Sequence, residues 1–265
     1  MTTMKVNPLR DIWNAGRSAV GTYILARRDI STVETAAAAG LDYVIFDLEH
    51  RPYGPESIHD LCQVSRLSGM AALVTVAQIE HHSICHALDL GASGVILPQV
   101  QTIEQVELAI NAVHYPPKGR RGRCGVAGHN LYRAAPTADE VEHYNRDVAL
   151  LLKVETEYAI EHLDQLVAFD RVDGVQVGPG DLALDLGVPN NHAQIANLTD
   201  QVRKVCKKRG IQFGDHADRP EQVPDMVAEG STWTTVGIDI TILRDAWSKA
   251  AQANQQAQSP SARST

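Results

Sequence analysis

Short apolar runs alternate with longer stretches of helical periodicity along most of the chain, and this alternation limits the fold more than any other feature of the sequence. The runs are rich in Val, Ile and Leu and have the length of strands. Alternation of this kind is typical of βα units that build a parallel sheet. We therefore predict eight strands, at residues 20–25, 43–47, 72–76, 94–98, 149–155, 174–177, 211–214 and 234–237.

Glycine marks the ends of the helical stretches. Gly40, Gly69, Gly91, Gly210 and Gly230 each come directly after such a stretch and a few residues before the next apolar run. Glycine is favoured there because the residue that closes a helix often adopts a left-handed conformation. We predict eight helices, at residues 31–39, 55–68, 82–90, 103–114, 158–169, 195–209, 219–229 and 240–253.

Eight βα units in 265 residues fit a single α/β domain, the (β/α)8 or TIM barrel, which takes about 250 residues. The alternative is a doubly wound open sheet, but the sequence lacks the Gly-x-Gly-x-x-Gly motif after the first strand. We predict one barrel domain over residues 1–253, with a short helix within residues 4–15 that closes its bottom. Residues 254–265 are rich in Gln, Ser, Pro and Ala and are predicted to form a disordered tail.

The charge balance excludes two classes of partner. Lys and Arg number 24 against 32 Asp and Glu, which gives a net charge of −8 without a basic block, so we expect neither nucleic acid nor a membrane surface as a partner. Residues 1–17 lack the apolar stretch of a signal peptide, and we expect a soluble, cytoplasmic protein. Cys62, Cys85, Cys124 and Cys206 are widely spaced, so we expect them to be ordinary reduced thiols.

Polar residues that end apolar runs are the first candidates for chemistry, because catalytic groups of such barrels lie at the C-terminal ends of the strands. Asp47 ends the second predicted strand, and His50 follows three residues later. A carboxylate at this spacing can hold an imidazole in one tautomer, and an oriented histidine can act as a general base through a water molecule. We predict that His50 and Asp47 are catalytic. The alternative is a histidine bonded to a loop carbonyl.

Two more carboxylates end the fifth and sixth strands. Glu155 and Asp181 are expected to meet over the barrel mouth, where a buried carboxylate is costly unless it is paired or binds a cation. Oxygen ligands without a thiolate suit a hard divalent ion, so we predict a site for Mg²⁺, with Mn²⁺ or Co²⁺ as alternatives. Gly178 and Gly180 flank Pro179, and these three residues are predicted to contact the substrate. Alternatively, the carboxylates cap helices or pair with arginines.

Lys153 lies two residues before Glu155, on the same face of the predicted strand. An ammonium group inside a barrel needs a carboxylate partner, and two functional interpretations follow. The lysine can hold an anionic substrate, or it can attack a carbonyl and form a Schiff base. The alternative is a structural lysine paired with an acidic residue of the barrel.

Two other segments carry candidates. Residues 116–128 form a basic, glycine-rich stretch that can cradle a carboxylate or a phosphate, and Gly125 is predicted to bind substrate there. The alternative is a surface turn. His82 and His86 share a helix face at ligand spacing, with His81 beside them, which leaves a zinc-dependent hydrolase as another hypothesis, although the sequence differs from His-Glu-x-x-His.

With these residues in place, the chain resembles the HpcH/HpaI family of divalent-metal-dependent aldolases. The matching motifs occur in the order and with the spacing of the family, over about residues 21–250. They are Asp47-x-Glu49-His50, Tyr115-Pro116-Pro117-x-Gly119-x-Arg121-Gly122, Val154-Glu155-Thr156, Gly178-Pro179-x-Asp181-Leu182 and Val236-Gly237-x-Asp239.

The resemblance implies a (β/α)8 barrel, commonly a homo-hexamer in which partners exchange the eighth helix. It implies that Glu155 and Asp181 bind the metal and that Asp47 and His50 form the base system. The implied reaction cleaves or forms 4-hydroxy-2-oxo acids through a pyruvate-type enolate, with a 2-oxo acid and an aldehyde as partners. Such chemistry agrees with the residues, because a Lewis acid stabilises the charge on an enolate oxygen.

Two positions differ from the family pattern. Thr75 stands where family aldolases usually have an arginine that holds the pyruvyl oxygens, and Lys153 stands where a glutamine is common. We predict that both residues contribute to the substrate pocket and that Lys153 supplies the missing positive charge. The alternatives are a diverged condensing enzyme, similar to a citrate synthase or to macrophomate synthase, and a non-catalytic barrel that binds an oxo acid.

Overall fold

The computed structural model describes residues 7–132 and 138–258. Eight parallel strands form a closed barrel in chain order, and the last strand pairs with the first. The predicted (β/α)8 barrel is therefore confirmed. The strands are β1 Ala19–Ile24, β2 Tyr43–Asp47, β3 Ala71–Thr75, β4 Gly94–Leu97, β5 Ala149–Val154, β6 Gly174–Val177, β7 Gln212–Ala217 and β8 Trp233–Ile238.

Helices surround the barrel and close its bottom. Within the described residues, none of them is long and apolar enough to cross a membrane. The α-helices are α1 Pro8–Asn14, α2 Ile30–Ala38, α3 Pro55–Leu67, α4 His81–Asp89, α5 Ile103–Val113, α6 Ala138–Asp147, α7 Glu157–Glu161, α8 Leu163–Leu166, α9 Pro179–Leu186, α10 Ala193–Arg209, α11 Val223–Glu229 and α12 Asp239–Gln258.

The helix ends follow the glycine pattern. The five glycines predicted to close helices all have positive φ, from 68° at Gly210 to 115° at Gly91. The predicted helix 158–169 is instead divided into α7 and α8 at His162, and α12 continues past the predicted end at residue 253 to Gln258. Residues 259–265 of the predicted tail lie outside the described residues.

Two helices were not predicted from the sequence. The first, α6, is mostly polar, and its few apolar residues were not recognised as a helix face. The second, α9, begins at Pro179, in a segment for which we predicted substrate contacts but no helix. Proline is well tolerated in the first turn of a helix, because its missing N–H has no partner within the helix there.

The interior of the barrel is filled from below by apolar side chains. Leu9, Ile12 and Trp13 of α1 join a buried cluster that includes Tyr43 and Trp233. This helix therefore closes the bottom of the barrel, as predicted. A second and larger apolar cluster lies between the strands and the surrounding helices.

Above the apolar layer the interior becomes polar. Side chains alternate along a strand, so Lys153 points the same way as Ala149 and Leu151, which both belong to the interior cluster. By the same alternation, Asp47 follows Tyr43 and Ile45 into the interior. The C-terminal ends of the strands, called the barrel mouth below, therefore collect the charged residues.

Candidate active site

Glu155 is the most deeply buried carboxylate at the mouth, with 2% of its surface exposed. It comes directly after β5, and both of its oxygens have a partner. Oε2 accepts a hydrogen bond from the backbone N–H of Gln99 at 2.9 Å, and Oε1 lies 2.6 Å from Nζ of Lys153. Gln99 has a left-handed backbone, with φ at 48°, which for a residue other than glycine costs on the order of 1 kcal/mol.

Gly178 makes room for Glu155. It precedes α9, and its N–H donates to the carbonyl of Val154 at 3.0 Å, which brings the ends of β5 and β6 together. A Cβ atom at position 178 would collide with Oε1 and Cγ of the Glu155 side chain. Glycine is therefore required by close approach.

Asp181 lies in the first turn of α9, near enough for its charge to act on two other carboxyl groups. Burial raises the pKa of Glu155. Lys153 and the N–H of Gln99 lower this pKa, whereas the charge of Asp181 raises it further. Burial also raises the pKa of Glu49. The charges of Asp47 and Asp181 raise it further, whereas those of His50 and Lys153 lower it. The mouth thus holds an excess of negative charge.

Lys153 provides the positive charge inside this group. Its side chain is 16% exposed. Burial by itself lowers the pKa of Lys153, but Tyr23, Glu155 and Glu49 together raise it above its ordinary value. The ammonium form is therefore stabilised. A Schiff-base nucleophile needs a neutral amine, so this environment disfavours that interpretation.

The second strand positions the candidate base differently from the prediction. Oδ1 of Asp47 accepts hydrogen bonds from the backbone N–H groups of Glu49 and His50, at 2.7 and 3.1 Å. The imidazole of His50 instead lies 3.4 Å from the carboxylate of Glu49 and is 54% exposed. Asp47 therefore fixes the turn that carries His50, and Glu49 is the carboxylate beside the ring. Glu49 also accepts a hydrogen bond from the side-chain amide of Gln99 at 3.0 Å.

Thr75 ends β3, is 2% exposed, and is in register with Asp47 of β2. It therefore lies at the mouth, and its contact with substrate stays a prediction.

Three further residues of this polar layer were missed because only strand ends were searched. Tyr23 donates a hydrogen bond to the side chain of Gln176 at 3.3 Å, and its ring centroid lies 5.9 Å from that of His216. Burial raises the pKa of Tyr23 to about 12 and lowers that of His216. All three lie within strands, and the alternation of side chains would have located them.

Gly125 lies away from the mouth. Gly125 belongs to the connection between α5 and α6; its carbonyl accepts a hydrogen bond from Asn130, and nearby Gly128 packs on α3 and on Leu90 at the end of α4. This surface is outside the barrel, so within one chain Gly125 does not join Glu155. The surface-turn alternative describes it better.

The histidines of α4 lie on the layer of helices outside the barrel, where His81 and His82 are exposed. His82 stacks on His86 with ring centroids 5.4 Å apart, and His81 contacts the thiol of Cys85. Across residues 7–132 and 138–258, no group of three or more His, Cys, Asp or Glu side chains is arranged to hold a metal. The described structure therefore gives the zinc hypothesis no support.

Glu155 and Asp181 fit a hard divalent ion on two observations. Two negative charges close together cost free energy where Glu155 is buried, and a bound cation relieves that cost. Among the described residues, the buried Oε1 of Glu155 accepts no hydrogen bond of normal geometry and has only its ion pair with Lys153. Two protein oxygens also suit an ion that retains several water molecules, as Mg²⁺ does.

Sequence comparison identifies the family. Residues 21–246 match the HpcH/HpaI aldolase/citrate lyase family. The chain belongs to this family. Family members are lyases, so the predicted class of enzyme is confirmed. The match includes every candidate residue of the mouth, from Tyr23 in β1 to His216 in β7.

Individual relatives cover nearly the whole chain. The 2-keto-3-deoxy-L-rhamnonate aldolase of Escherichia coli K12 is 29% identical over 255 residues, which are 93% of this chain and 92% of the relative. An HpcH/HpaI aldolase from Desulfitobacterium hafniense DCB-2 has a solved structure that is 28% identical, with a TM-score of 0.90 and coverage of 97% and 98%. The HpcH/HpaI aldolase is therefore similar in both sequence and fold.

Two more distant structures share the fold. The citrate synthase SbnG is 24% identical with a TM-score of 0.86, over 96% of this chain and 100% of SbnG. Macrophomate synthase is 23% identical with a TM-score of 0.81, over 95% and 89%. At this identity the likeness concerns the barrel alone.

Proposed function

We propose that this chain is a cytoplasmic, divalent-metal-dependent aldolase that cleaves and forms 4-hydroxy-2-oxo acids. The observation that carries the proposal is the buried carboxylate Glu155, with Asp181 close by and the candidate base His50 on the neighbouring turn of the mouth. The aldolases among the relatives support it. Each polar group of a 4-hydroxy-2-oxo acid would have a partner at this site.

Glu155 and Asp181 would hold the ion, which we propose to be Mg²⁺, with Mn²⁺ or Co²⁺ as alternatives. When bound, the ion supplies a Lewis acid that stabilises negative charge developing on the 2-oxo oxygen. Gln99 keeps Glu155 in place through its N–H, and Gly178 leaves the space that the Glu155 side chain occupies.

His50 would move the proton. In the cleavage direction, the C4 hydroxyl loses its proton to His50 through a water molecule, the C3–C4 bond breaks, and an aldehyde leaves. The electron pair of that bond passes to the pyruvate-type enolate, which then takes a proton at C3. Asp47 keeps His50 at the mouth by holding its backbone, and Glu49 stabilises the imidazolium that forms.

The anionic end of the substrate needs positive charge and N–H donors. Lys153 is proposed to supply the charge, and Thr75 a hydroxyl group at the position of the family arginine. Pro179 and Gly180 begin α9, where the backbone N–H groups of a first turn attract anions.

Removal of the metal tests this function. We expect purified protein supplied with Mg²⁺ or Mn²⁺ to release pyruvate from 4-hydroxy-2-oxo acids, and EDTA to lower the rate at least about a hundredfold, reversibly. Pyruvate is followed by coupled reduction with lactate dehydrogenase. Full activity in the stripped protein would exclude the metal role. Trapping of a Lys153 adduct by borohydride would support the Schiff-base alternative instead.

The proposed enzyme is a homo-oligomer, with a hexamer as the form implied by family resemblance. Helix α12 supports this, because Ile240, Ile242 and Trp247 on it are 37%, 50% and 67% exposed. A second copy of the chain would bury these side chains. We expect Trp247→Glu to lower the mass measured by light scattering, and Lys249→Glu, on the same helix, to leave it unchanged. An unchanged mass in both variants would exclude this helix as an interface.

A further inference from the structure

The carboxylate of Glu155, to which a metal would bind, already has the ammonium group of Lys153 beside it. Nζ of Lys153 lies 2.6 Å from Oε1, and the N–H of Gln99 occupies Oε2. Among the described residues, the buried Oε1 accepts no hydrogen bond of normal geometry besides this ion pair. The ammonium group and an ion bound by Glu155 would therefore meet at the same oxygen.

Lys153 is held in this position by its surroundings. It lies on β5, the strand that ends directly before Glu155, its side chain is only 16% exposed, and Tyr23 and Glu49 are further neighbours. Two cations a few Å apart repel by several kcal/mol at an effective dielectric constant of about 20. The carboxylates attract both cations, but they cannot remove that repulsion.

We infer that Lys153 is an internal competitor of the divalent ion, which weakens metal binding in the empty site and makes it depend on an anionic ligand. The inference rests on the proposed role of Glu155 as a metal ligand. A substrate carboxylate would form a new partner for the ammonium group and draw it from Oε1, so metal and oxo acid would strengthen each other's binding. Lys153 would thus couple the two ligands.

The test measures Mn²⁺ affinity by isothermal titration, without turnover. We expect Lys153→Gln to bind Mn²⁺ at least about tenfold more tightly than the unchanged protein, because the competing charge is gone and Glu155 is left without its ion pair. Lys153→Arg keeps the charge and should bind weakly. Lys204→Gln is the matched control, since Lys204 forms a pair of the same length, 2.6 Å to Asp200, but is 73% exposed.

The second measurement adds oxalate, a stable dianion, to the titration. We expect oxalate to increase Mn²⁺ affinity by a larger factor in the unchanged protein than in Lys153→Gln. Thermal unfolding gives an independent readout: Mn²⁺ should raise the Tm of Lys153→Gln more than that of the unchanged protein. Lys153→Met repeats both measurements if the glutamine variant does not fold.

The outcomes separate this inference from the proposed function. Equal or weaker Mn²⁺ affinity in the neutral variants, with binding that still requires Glu155, overturns the role of Lys153 and leaves the metal site intact. Mn²⁺ binding that is absent in every protein, including the unchanged one, overturns both. Tighter binding in Lys153→Arg as well would show that shape and not charge is responsible, and this too contradicts the inference.

Discussion

Glu155→Gln is expected to lower kcat/KM for aldol cleavage by about a thousandfold or more, the largest loss from any single conservative change at the mouth. The amide has nearly the shape of the carboxylate but no charge, so it cannot hold a divalent ion beside Asp181. The hydrogen bond from the N–H of Gln99 can persist, since the amide retains one acceptor oxygen. The loss should therefore arise from chemistry and not from a collapsed loop.

The measurement pairs steady-state pyruvate release with Mn²⁺ titration of the same preparation. Glu161→Gln is the matched control, because Glu161 ends α7 on the exposed surface, six positions after Glu155 in the sequence, and should keep full activity. Removing one partner leaves Lys153 as a buried, unpaired charge, so some loss of stability is expected. Circular dichroism separates this from loss of chemistry. Activity within tenfold of the unchanged protein would contradict the assigned role.

The barrel could be predicted because its signals are local. Each strand is a short apolar run. A glycine directly after a helix indicates the left-handed conformation that closes the helix, as at Gly40 and Gly210. Glu155 and Asp181 were also found locally, since the end of a parallel strand lies at the mouth wherever the neighbouring strands are.

The contacts within the mouth could not be predicted in the same way, because they depend on how different strands are staggered. Tyr23 of β1 meets His216 of β7, with β8 between the two strands, and no spacing in the sequence gives that distance. The partner of His50 was also misjudged. A carboxylate three residues away was expected to reach the ring, but Asp47 uses its oxygen to close the backbone turn, which leaves the ring to Glu49.

Gly125 illustrates a different limit. Its glycine-rich, basic surroundings suggested an anion site, but composition does not say on which side of the helices a loop packs. The buried side chain of Arg121 pairs with Asp89 at 2.6 Å, and the guanidinium of Arg66 donates to the carbonyl of Gly128. One positive charge of the loop itself and one from α3 therefore attach the loop to the outside of the barrel.

Gly178→Ala should be nearly as damaging as the loss of the carboxylate, although it adds only a methyl group. The new Cβ would collide with Oε1 and Cγ of Glu155, and the backbone on which it stands is tied to Val154 by a 3.0 Å hydrogen bond. Backbone strain is not the cause, because φ at Gly178 is −93°. The side chain of Glu155 must therefore move, and it would carry its ion pair with Lys153 out of position.

We expect kcat/KM to fall at least about a hundredfold, with Mn²⁺ affinity falling in parallel, because a displacement of about 1 Å at a reacting centre is enough for such a loss. Gly122→Ala is the control: a Cβ there has nothing within 4 Å, so the same methyl group should leave both activity and Tm unchanged. If Gly178→Ala kept its metal affinity and lost only stability, Glu155 would have another position from which it can bind the ion. The close approach of Gly178 would then serve packing, and the site would be more adaptable than the fixed pair of Glu155 and Lys153 implies.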